Sequence, residues 1–461
     1  MISTLVVAAN CRVGGLVQSG DRKTGVDRRL WLRALAWLVF LGPFFFVTYG
    51  YCNAYAARLD FVPSYFEEWE RAIPFMPWLL LPYWTIDAFY AASLFMARDR
   101  QELDALGKRL MLATLISCAG FLMFPLRFAF EHPQTSGLNG WLLARLQDFD
   151  QPFNQAPSLH VSLLLILWVH YSARISGGWR VLLHLWFSLI GVSVVGTFQH
   201  HMIDIYAGLA VGVLCQYLVP PMARSRALEP PDIRRMKIAA CYGAGAAVLA
   251  VFWSVCVHVG LIWSGLLFAW GCLALCLLSI GYLRVGSAVF GKQAGRLDWS
   301  ARCVLLPYLA GAWLSARMQN MRRPAMVKVV DGLWVGRLPR MSDHARLGAA
   351  RISLVLDLTA EFDRPRLPAV IRYVGIPVLD LTAPSLAQLK LAAAAIEHER
   401  AAGGSVLVCC ALGLSRSACA CAAALVVQGA TAQHALAQVR AAQPRAVLRS
   451  IHLALLTRLQ N

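Results

Sequence analysis

The stretch SVLVCCALGLSRSACACAAAL, residues 405–425, begins as a short apolar strand and passes through a loop into an alanine-rich helix. A cysteine that attacks phosphorus needs a cradle of backbone N–H groups, which a loop at a helix N-terminus supplies, and a planar cation that grips the phosphate. The stretch holds four of the chain's 13 cysteines, and only Cys410 is followed six residues later by an arginine, Arg416. It therefore predicts a phosphate-binding loop between Cys410 and Arg416.

Residues 325–461 around this loop are predicted to form a cytoplasmic α/β domain with reduced thiols. The apolar runs LVLDL (354–358) and SVLVC (405–409) are typical of buried strands. The segment SLAQLKLAAAAIEHERAAGG (385–404) predicts a helix with Ser385 as its N-cap and glycines after its end. Three more helical stretches are predicted beyond the loop.

The motif CALGLSRS, residues 410–417, gives this domain a specific resemblance to the cysteine-dependent dual-specificity phosphatases, over about residues 326–461. The stretches VVDGLWVGRLP (329–339) and YVGIPVLD (373–380) are similar to the family's early strands and to the entrance of its acid loop. The resemblance implies that Cys410 is the nucleophilic thiolate and that Arg416 binds the phosphate. It also implies that Ser417 helps to release phosphate from the cysteine and that Asp380 is the general acid. The loop that would cradle the phosphate consists of Ala411, Leu412, Gly413, Leu414 and Ser415.

Two alternatives concern this site. Asp357 is the rival general acid, although its place inside a strand favours a structural role, whereas Asp380 lies about thirty residues before Cys410 at a strand end. Cys409 stands where the family commonly has histidine. Cys409 or Cys419 could form a redox brake with Cys410, or both could be small buried residues.

The whole chain is far more apolar than a soluble domain, which is usually 45–50% apolar. Of its 461 residues 58% are hydrophobic, the mean hydropathy is +0.55 and the formal net charge is +18. A nucleic-acid binder would explain the charge but not the apolar excess, so we expect a membrane protein with basic cytoplasmic loops and no nucleic-acid partner.

Eight apolar runs are long enough to cross a bilayer. The fold class predicted is a polytopic α-helical membrane domain joined to the α/β domain. Basic clusters in the N-terminal tail and after the second and sixth spans lie on one side, which makes that side and both termini cytoplasmic. We expect a bacterial-type inner membrane. The spans lie near residues 32–52, 74–96, 110–126, 158–173, 179–198, 203–221, 238–260 and 264–283.

Domain boundaries follow from these runs. The chain is predicted to contain a basic cytoplasmic tail (1–31), the main membrane domain (32–221), two additional spans (222–285), a linker (286–324) and the α/β domain (325–461). The linker's apolar stretch 303–316 is too short to span a bilayer. It is either a packing helix or a helix lying on the inner leaflet.

Two histidine motifs lie at predicted span ends on the outer face: QAPSLHVS (155–162) and GTFQHHMIDIYAG (196–208). His160 could meet His200 or His201, and Asp204 lies one helical turn beyond His200. A histidine nucleophile, a second histidine as acid/base and an aspartate that orients one of them form a working relay.

These motifs resemble the lipid phosphatase and phosphotransferase superfamily related to type 2 phosphatidate phosphatases, and most closely its sphingomyelin and inositol-phosphorylceramide synthase branch. The resemblance covers about residues 110–221, and it implies that six spans form or flank that family's core. It implies that His160 and His200 are the nucleophile and acid/base in either order and that Asp204 orients His200, with Ser158 and Arg127 at the phosphate. Because the arginine that the phosphatase branch has before its second histidine motif is absent, the phosphate grip is closer to that of the transferases.

The sequence thus predicts a bifunctional membrane phosphatase for phosphomonoesters, with a lipid phosphate or diphosphate as the outer substrate. The inner substrate would be a phospholipid monoester such as phosphatidylglycerophosphate or a phosphoinositide. Three alternatives stay open: a lipid phosphotransferase at the outer site, a non-catalytic sensor domain that regulates the other domain, and protein phosphotyrosine as inner substrate.

The sequence has no zinc or magnesium ligand pattern, so neither site is expected to need a metal or cofactor. Phosphate release from an aryl phosphate should therefore persist after treatment with EDTA, with a magnesium-dependent phosphatase as the positive control. Loss of activity that added zinc or magnesium restores would contradict this prediction.

Overall fold

The structure is a computed structural model that describes residues 27–220, 231–321 and 323–460. The chain divides into two compact units, one containing residues 21–223 and the other containing residues 224–461. The basic tail predicted for residues 1–31 lies almost entirely outside the described residues. The domain boundaries drawn from the sequence stay predictions.

The first unit is helical throughout its regular structure. Its helices are α1 (Arg28–Ala56), α2 (Leu80–Phe95), α3 (Arg100–Met123), α4 (Gly137–Phe149), α5 (Leu159–Ser172), α6 (Gly178–Gly196) and α7 (Met202–Leu218).

Helices α5 and α7 approach each other closely, and this contact positions the histidine motifs. A Cβ atom on Gly208 of α7 would lie 2.5 Å from the carbonyl oxygen of Ser158, so only glycine fits there. The Ser162 hydroxyl donates to the carbonyl oxygen of Gly208 at 2.9 Å. The start of α5 is thereby held against the first turns of α7.

Among the described residues, five helical segments are long and apolar enough to cross a membrane. They are Arg28–Ala56, Arg100–Met123, Gly178–Gly196, Ile233–His258 and Ile262–Phe290. The other three predicted spans correspond to α2, α5 and α7, which have 16, 14 and 17 residues. At about 1.5 Å per residue these helices are shorter than a hydrocarbon core of about 30 Å, so the count of eight stays a prediction.

The second unit begins with a helical hairpin, α8 (Ile233–His258) and α9 (Ile262–Ile280). Two irregular turns, Gly281–Val285 and Gly286–Phe290, lead from α9 into the short helices α10 (Trp299–Val304) and α11 (Leu306–Gln319). No residue of α11 is buried, and Trp313 and Met318 are among its exposed side chains. A position on the bilayer surface stays a prediction for this linker.

The rest of the second unit is an α/β domain around a five-stranded sheet of order β1-β2-β5-β3-β4. The strands β1 and β2 are antiparallel, and the other neighbours are parallel. The strands are β1 (Met326–Val330), β2 (Leu333–Arg337), β3 (Ile352–Thr359), β4 (Arg372–Val378) and β5 (Ser405–Cys410). The helices are α12 (His344–Ala349), α13 (Leu386–Ala401), α14 (Arg416–Val427), α15 (Ala432–Ala442) and α16 (Ser450–Gln460).

The predicted elements of this domain are confirmed. The runs 354–358 and 405–409 lie in β3 and β5, and Ser385 caps α13 by accepting a hydrogen bond from the N–H of Gln388. Since side chains alternate across a strand, Cys409 packs on the same face of the sheet as α12, whereas Cys410 packs in the cluster that contains α14.

Candidate active sites

The loop between β5 and α14 has the geometry that the cysteine spacing predicts. The strand ends at Cys410, the helix begins at Arg416, and residues 411–415 turn between them. Gly413 has φ +74°, and a Cβ atom there would lie 2.5 Å from the backbone carbon of Gly336. The loop therefore needs glycine at this position. Its N–H groups lie at the positive end of α14, which favours an anion.

Cys410 and Ser417 lie together at the base of this loop. The Cys410 Sγ is 3.3 Å from the Ser417 Oγ, and both residues are buried, Cys410 with 3% of its surface exposed. A hydroxyl at this distance can hydrogen-bond a thiolate, as the sequence-based role of Ser417 requires.

Arg416 is buried, and its guanidinium is held by two carboxylates. Its Nη1 and Nη2 donate to the two oxygens of Glu361 at 2.9 and 2.7 Å, and Nη2 lies 2.9 Å from Asp380 Oδ1. Burial opposes the charge of Arg416, but Glu361 and Asp380 outweigh it and raise its pKa well above the ordinary value. For Glu361, burial opposes ionisation, and Arg416 outweighs burial so that the carboxyl pKa is lowered.

Asp380 follows β4 by two residues, so the neighbouring ends of parallel strands bring it to the loop. Its side chain is 43% exposed. Burial raises the pKa of its carboxyl; Arg416 opposes this and Glu361 adds to it, and the net direction is upward. A carboxyl that keeps its proton longer than an ordinary aspartate is suited to general acid catalysis.

Asp357, the rival acid, is fully buried in β3. Its carboxylate accepts hydrogen bonds from Lys292 Nζ at 2.7 Å and from the Tyr373 hydroxyl at 2.8 Å. These contacts fit the structural role that the sequence favours for it. Burial, and then Asp357, raise the pKa of the neighbouring Cys409 thiol well above its ordinary value, which disfavours the thiolate form.

In the first unit, His160 and His200 line one cavity of about 490 Å³. The His160 ring stacks on Tyr83 with centroids 4.1 Å apart, and its Nε2 atom is buried without a hydrogen bond. The Nδ1 atom of His200 is likewise buried without a hydrogen bond. Both rings therefore line the same cavity, and each has one buried nitrogen without a hydrogen bond.

The contacts of Asp204 and His201 distinguish His200 from His201 as the candidate for the site. Asp204 Oδ2 lies 3.6 Å from His200 Nδ1, beyond hydrogen-bond distance, and accepts from the N–H of His201 at 2.9 Å. His201 Nδ1 lies 2.9 Å from Glu70 Oε2, and its Nε2 accepts from the N–H of Ala129. Both ring nitrogens of His201 are therefore occupied, which makes it the weaker candidate on structural grounds too.

The two predicted phosphate ligands of this unit lie in different surroundings. Ser158 is buried and caps α5, and its N–H donates to the carbonyl oxygen of Asp204 at 3.0 Å. Arg127 is exposed and is not among the residues that line the histidine cavity. Of the described residues that do line it, Arg145 is the one arginine or lysine, and it pairs with Asp148 at 2.9 Å.

Comparison with known proteins covers both units. The model "Dual specificity phosphatase, catalytic domain" matches residues 333–461. Human dual specificity phosphatase 28 is 34% identical over 123 residues, which are 26% of this chain and 69% of that protein. The chain belongs to the dual specificity phosphatase family.

The chain is also similar to solved structures of dual specificity phosphatases. The human DUSP28 structure is 29% identical and covers 30% of this chain and 93% of its own, with a TM-score of 0.28. A mouse putative dual specificity phosphatase complexed with zinc tungstate is 28% identical and covers 30% of this chain and 89% of its own, also with a TM-score of 0.28. The PAP2 superfamily model matches residues 79–218. Both family matches indicate a phosphatase.

Sequence reasoning missed Glu361, which holds the arginine of the dual specificity phosphatase domain. It follows β3 by two residues, and β3 and β5 are parallel neighbours whose carboxyl ends share one edge of the sheet. The parallel pairing of β3 and β5 could have identified Glu361, because a buried arginine shortly after the end of β5 needs a carboxylate from a neighbouring strand end.

Replacing Glu361 by glutamine should misplace the Arg416 guanidinium. We expect kcat/KM for a soluble aryl phosphate to fall about 100-fold and the free energy of unfolding to fall by about 3 kcal/mol, because Arg416 loses its buried counterion. Steady-state kinetics and thermal unfolding of the full chain measure both quantities. The exposed Glu397→Gln variant is the control, and unchanged kinetics in Glu361→Gln would contradict the assigned contact.

The raised pKa of Asp380 predicts the pH dependence of the phosphatase reaction. A general acid acts only while protonated, so a raised pKa moves the loss of kcat/KM with rising pH above the ordinary aspartate range of about 4. Asp380→Asn should abolish this alkaline limb and lower kcat about 100-fold, most severely for alkyl phosphates. A pH–rate profile measures this, with exposed Asp331→Asn as the control. If the limb persists in Asp380→Asn, another group is the acid.

Proposed function

We propose that this protein is an integral membrane phosphatase with two independent sites. The Cys410 site hydrolyses phosphomonoesters of phospholipids at the inner face of the membrane, and the His160–His200 site acts on lipid phosphate at the outer face. The membrane is a bacterial-type inner membrane with both chain termini on the cytoplasmic side. The family matches support the phosphatase chemistry, and the five long apolar helices support membrane attachment.

The observation that carries the inner lipid substrate is the contact between the acid loop and the end of a membrane-spanning segment. The hydroxyl of Tyr282, within the apolar segment Ile262–Phe290, donates to the carbonyl oxygen of Asp380 at 2.9 Å. Arg235, in the first turn of α8, donates to the carbonyl oxygen of Tyr282. A catalytic loop attached to the last turns of a span lies where a lipid headgroup can reach it, which favours a phospholipid over a phosphoprotein.

At the Cys410 site the reaction proceeds in two steps. The substrate phosphate enters the loop 411–415 and takes the place of the half-exposed Asp380 on Arg416, while buried Glu361 keeps its grip. The Cys410 thiolate attacks phosphorus, the ester P–O bond breaks, and Asp380 gives its proton to the leaving alcohol oxygen. Water then attacks the cysteinyl-phosphate and loses a proton to Asp380, the S–P bond breaks with Ser417 stabilising the departing thiolate, and inorganic phosphate leaves.

At the second site one histidine attacks phosphorus, the ester P–O bond breaks, and the other histidine protonates the leaving oxygen. The second histidine then takes a proton from a water molecule that attacks the phosphohistidine, and the P–N bond breaks to release phosphate. The placement of both rings in one cavity supports this pair in either order. Asp204 would orient His200 after a small closure of the 3.6 Å gap. Apolar residues from α1, α2, α4 and α5, including Phe45 and Leu163, line much of the cavity and suit an acyl chain.

The second candidate function for this site is phosphotransfer between lipids. The observation that favours it is the scarcity of cations: Arg145 is the one arginine or lysine among the described lining residues, and it is paired with Asp148. A weak grip on the free phosphate dianion suits transfer of a phospho-headgroup, in which a phosphodiester is formed again.

The test uses the full-length protein in lipid nanodiscs, with phosphatidate, phosphatidylglycerophosphate and a soluble aryl phosphate as substrates. Cys410→Ser should lower the activity on the second and third substrates more than about 1,000-fold, because a serine hydroxyl is a far weaker nucleophile than a cysteine thiolate. His200→Ala should lose activity on phosphatidate only. Cys241→Ser and His258→Ala, both at exposed positions of α8, are the matched controls.

Each result is decisive for one site. Retained hydrolysis of all three substrates by Cys410→Ser would refute the cysteine mechanism. If His200→Ala has no effect on phosphate release, but abolishes the conversion of a radiolabelled acceptor lipid into a phospholipid, the second site is a transferase. Hydrolysis of an aryl phosphate or a phosphotyrosine peptide without hydrolysis of any phospholipid would refute the inner lipid substrate.

A further inference from the structure

Three residues that precede the phosphatase-matched region 333–461 contact the catalytic domain. Tyr282 contacts the acid loop, Asn320 contacts the phosphate loop, and Lys292 contacts Asp357 in β3. We infer that the segment 282–320 is a working part of the catalytic domain, in which Asn320 positions the phosphate loop and Tyr282 positions the acid loop. This inference rests on the Cys410 site of the proposed function but not on a lipid substrate.

Asn320 acts on the phosphate loop from the end of α11. Its side chain is buried, with 6% of the residue exposed, and its Nδ2 donates to the carbonyl oxygen of Ala411 at 2.9 Å. In a planar trans peptide the C=O and N–H bonds point in opposite directions. Fixing the Ala411 carbonyl toward Asn320 therefore turns the N–H of Leu412 away from Asn320 and removes the rotational freedom of the first peptide in the cradle.

Tyr282 acts on the acid loop. It is fully buried, and its hydroxyl donates to the carbonyl oxygen of Asp380. The next residue, Leu381, has φ +61°, a left-handed conformation that is unfavourable for a non-glycine residue. Such a conformation persists only where surrounding contacts hold it. The Tyr282 hydrogen bond is one of these contacts, since it binds the peptide that joins Asp380 to Leu381.

Lys292 anchors the segment to the centre of the sheet. Its Nζ donates to Asp357 Oδ2 and to the carbonyl oxygen of Thr359, both at 2.7 Å, and its side chain is 2% exposed. Asp357 is fully buried and pairs in register with Cys409. A buried carboxylate needs a counterion. Lys292 supplies it from outside the matched region, so the segment belongs to the fold of the domain.

The kinetic test compares full-length variants on a soluble aryl phosphate and an alkyl phosphate. Asn320→Ala and the similarly sized Asn320→Asp both lack the donor; we expect KM and the inhibition constant for vanadate to rise about 10- to 100-fold while kcat changes less. Exposed Gln319→Ala on the same helix is the matched control.

Tyr282→Phe removes one hydroxyl and keeps the ring. We expect kcat to fall about tenfold for the alkyl phosphate, with a smaller loss for the aryl phosphate whose leaving group needs less protonation, and a displaced alkaline limb of the pH profile. A purely structural tyrosine would lower stability without moving that limb. Tyr51→Phe, at an exposed position of α1, is the control.

The anchoring role is tested by thermal unfolding. Lys292→Met leaves Asp357 buried without its cation and should lower the unfolding temperature. The double variant Lys292→Met/Asp357→Asn, which also removes the buried negative charge, should regain most of the lost unfolding temperature. Lys328→Met, which breaks an exposed pair with Asp331, should have no such effect.

The inference is overturned if the Asn320 variants keep the wild-type KM and vanadate inhibition and Tyr282→Phe keeps the wild-type pH profile, while Cys410→Ser is inactive. That outcome leaves the proposed function standing. If Cys410→Ser is itself active, the proposed function fails first, and the positioning roles fail with it.

Discussion

The guanidinium of Arg416 is a charge buried beside the phosphate loop, and much of the catalytic domain is arranged around its pairing. Glu361 after β3, the carbonyl of Val378 at the end of β4 and Asp380 beyond it all contact its two terminal nitrogens. A buried charge is tolerated only when such contacts replace water. The ends of β3 and β4 are therefore held against the start of α14, and the same arrangement brings Asp380 within reach of the Cys410 loop.

Most features predicted for the dual specificity phosphatase domain came from patterns of residues that are close in sequence. The spacing from Cys410 to Arg416, the two apolar strands and the cap at Ser385 depend on residues close in sequence, where periodicity and turn chemistry are informative. Glu361, Lys292 and Asn320 lie 55, 65 and 91 residues from the groups that they contact at Arg416, Asp357 and Ala411. Side chains of ordinary type at such separations have no local signature, and only the topology of the sheet brings them together.

In the first unit, which contains the histidine motifs, the sequence predicted the site better than the lengths of the helices. The motifs predicted the shared placement of His160 and His200, because each lies at the start of a helix and the close approach at Gly208 brings those starts together. Composition did not distinguish the lengths of the helices. Helices α5 and α7 are as apolar as the long spans but shorter than a hydrocarbon core, and they contain or directly follow the histidines. Short helices allow polar side chains at their ends to meet a cavity inside the unit and to avoid lipid.

The contacts of segment 282–320 also bear on why a phosphatase domain follows membrane helices in one chain. A flexible linker would let the catalytic domain sample many positions, and the attachment would then only raise its concentration near the bilayer. Here Tyr282 is at once part of an apolar segment long enough to cross a membrane and a hydrogen-bond donor to the acid loop. The distance between the end of that segment and Asp380 is therefore fixed by a buried contact. Under the proposed membrane topology, the Cys410 site would meet phosphate groups at one depth relative to the bilayer, which suits a lipid headgroup better than a freely diffusing phosphoprotein.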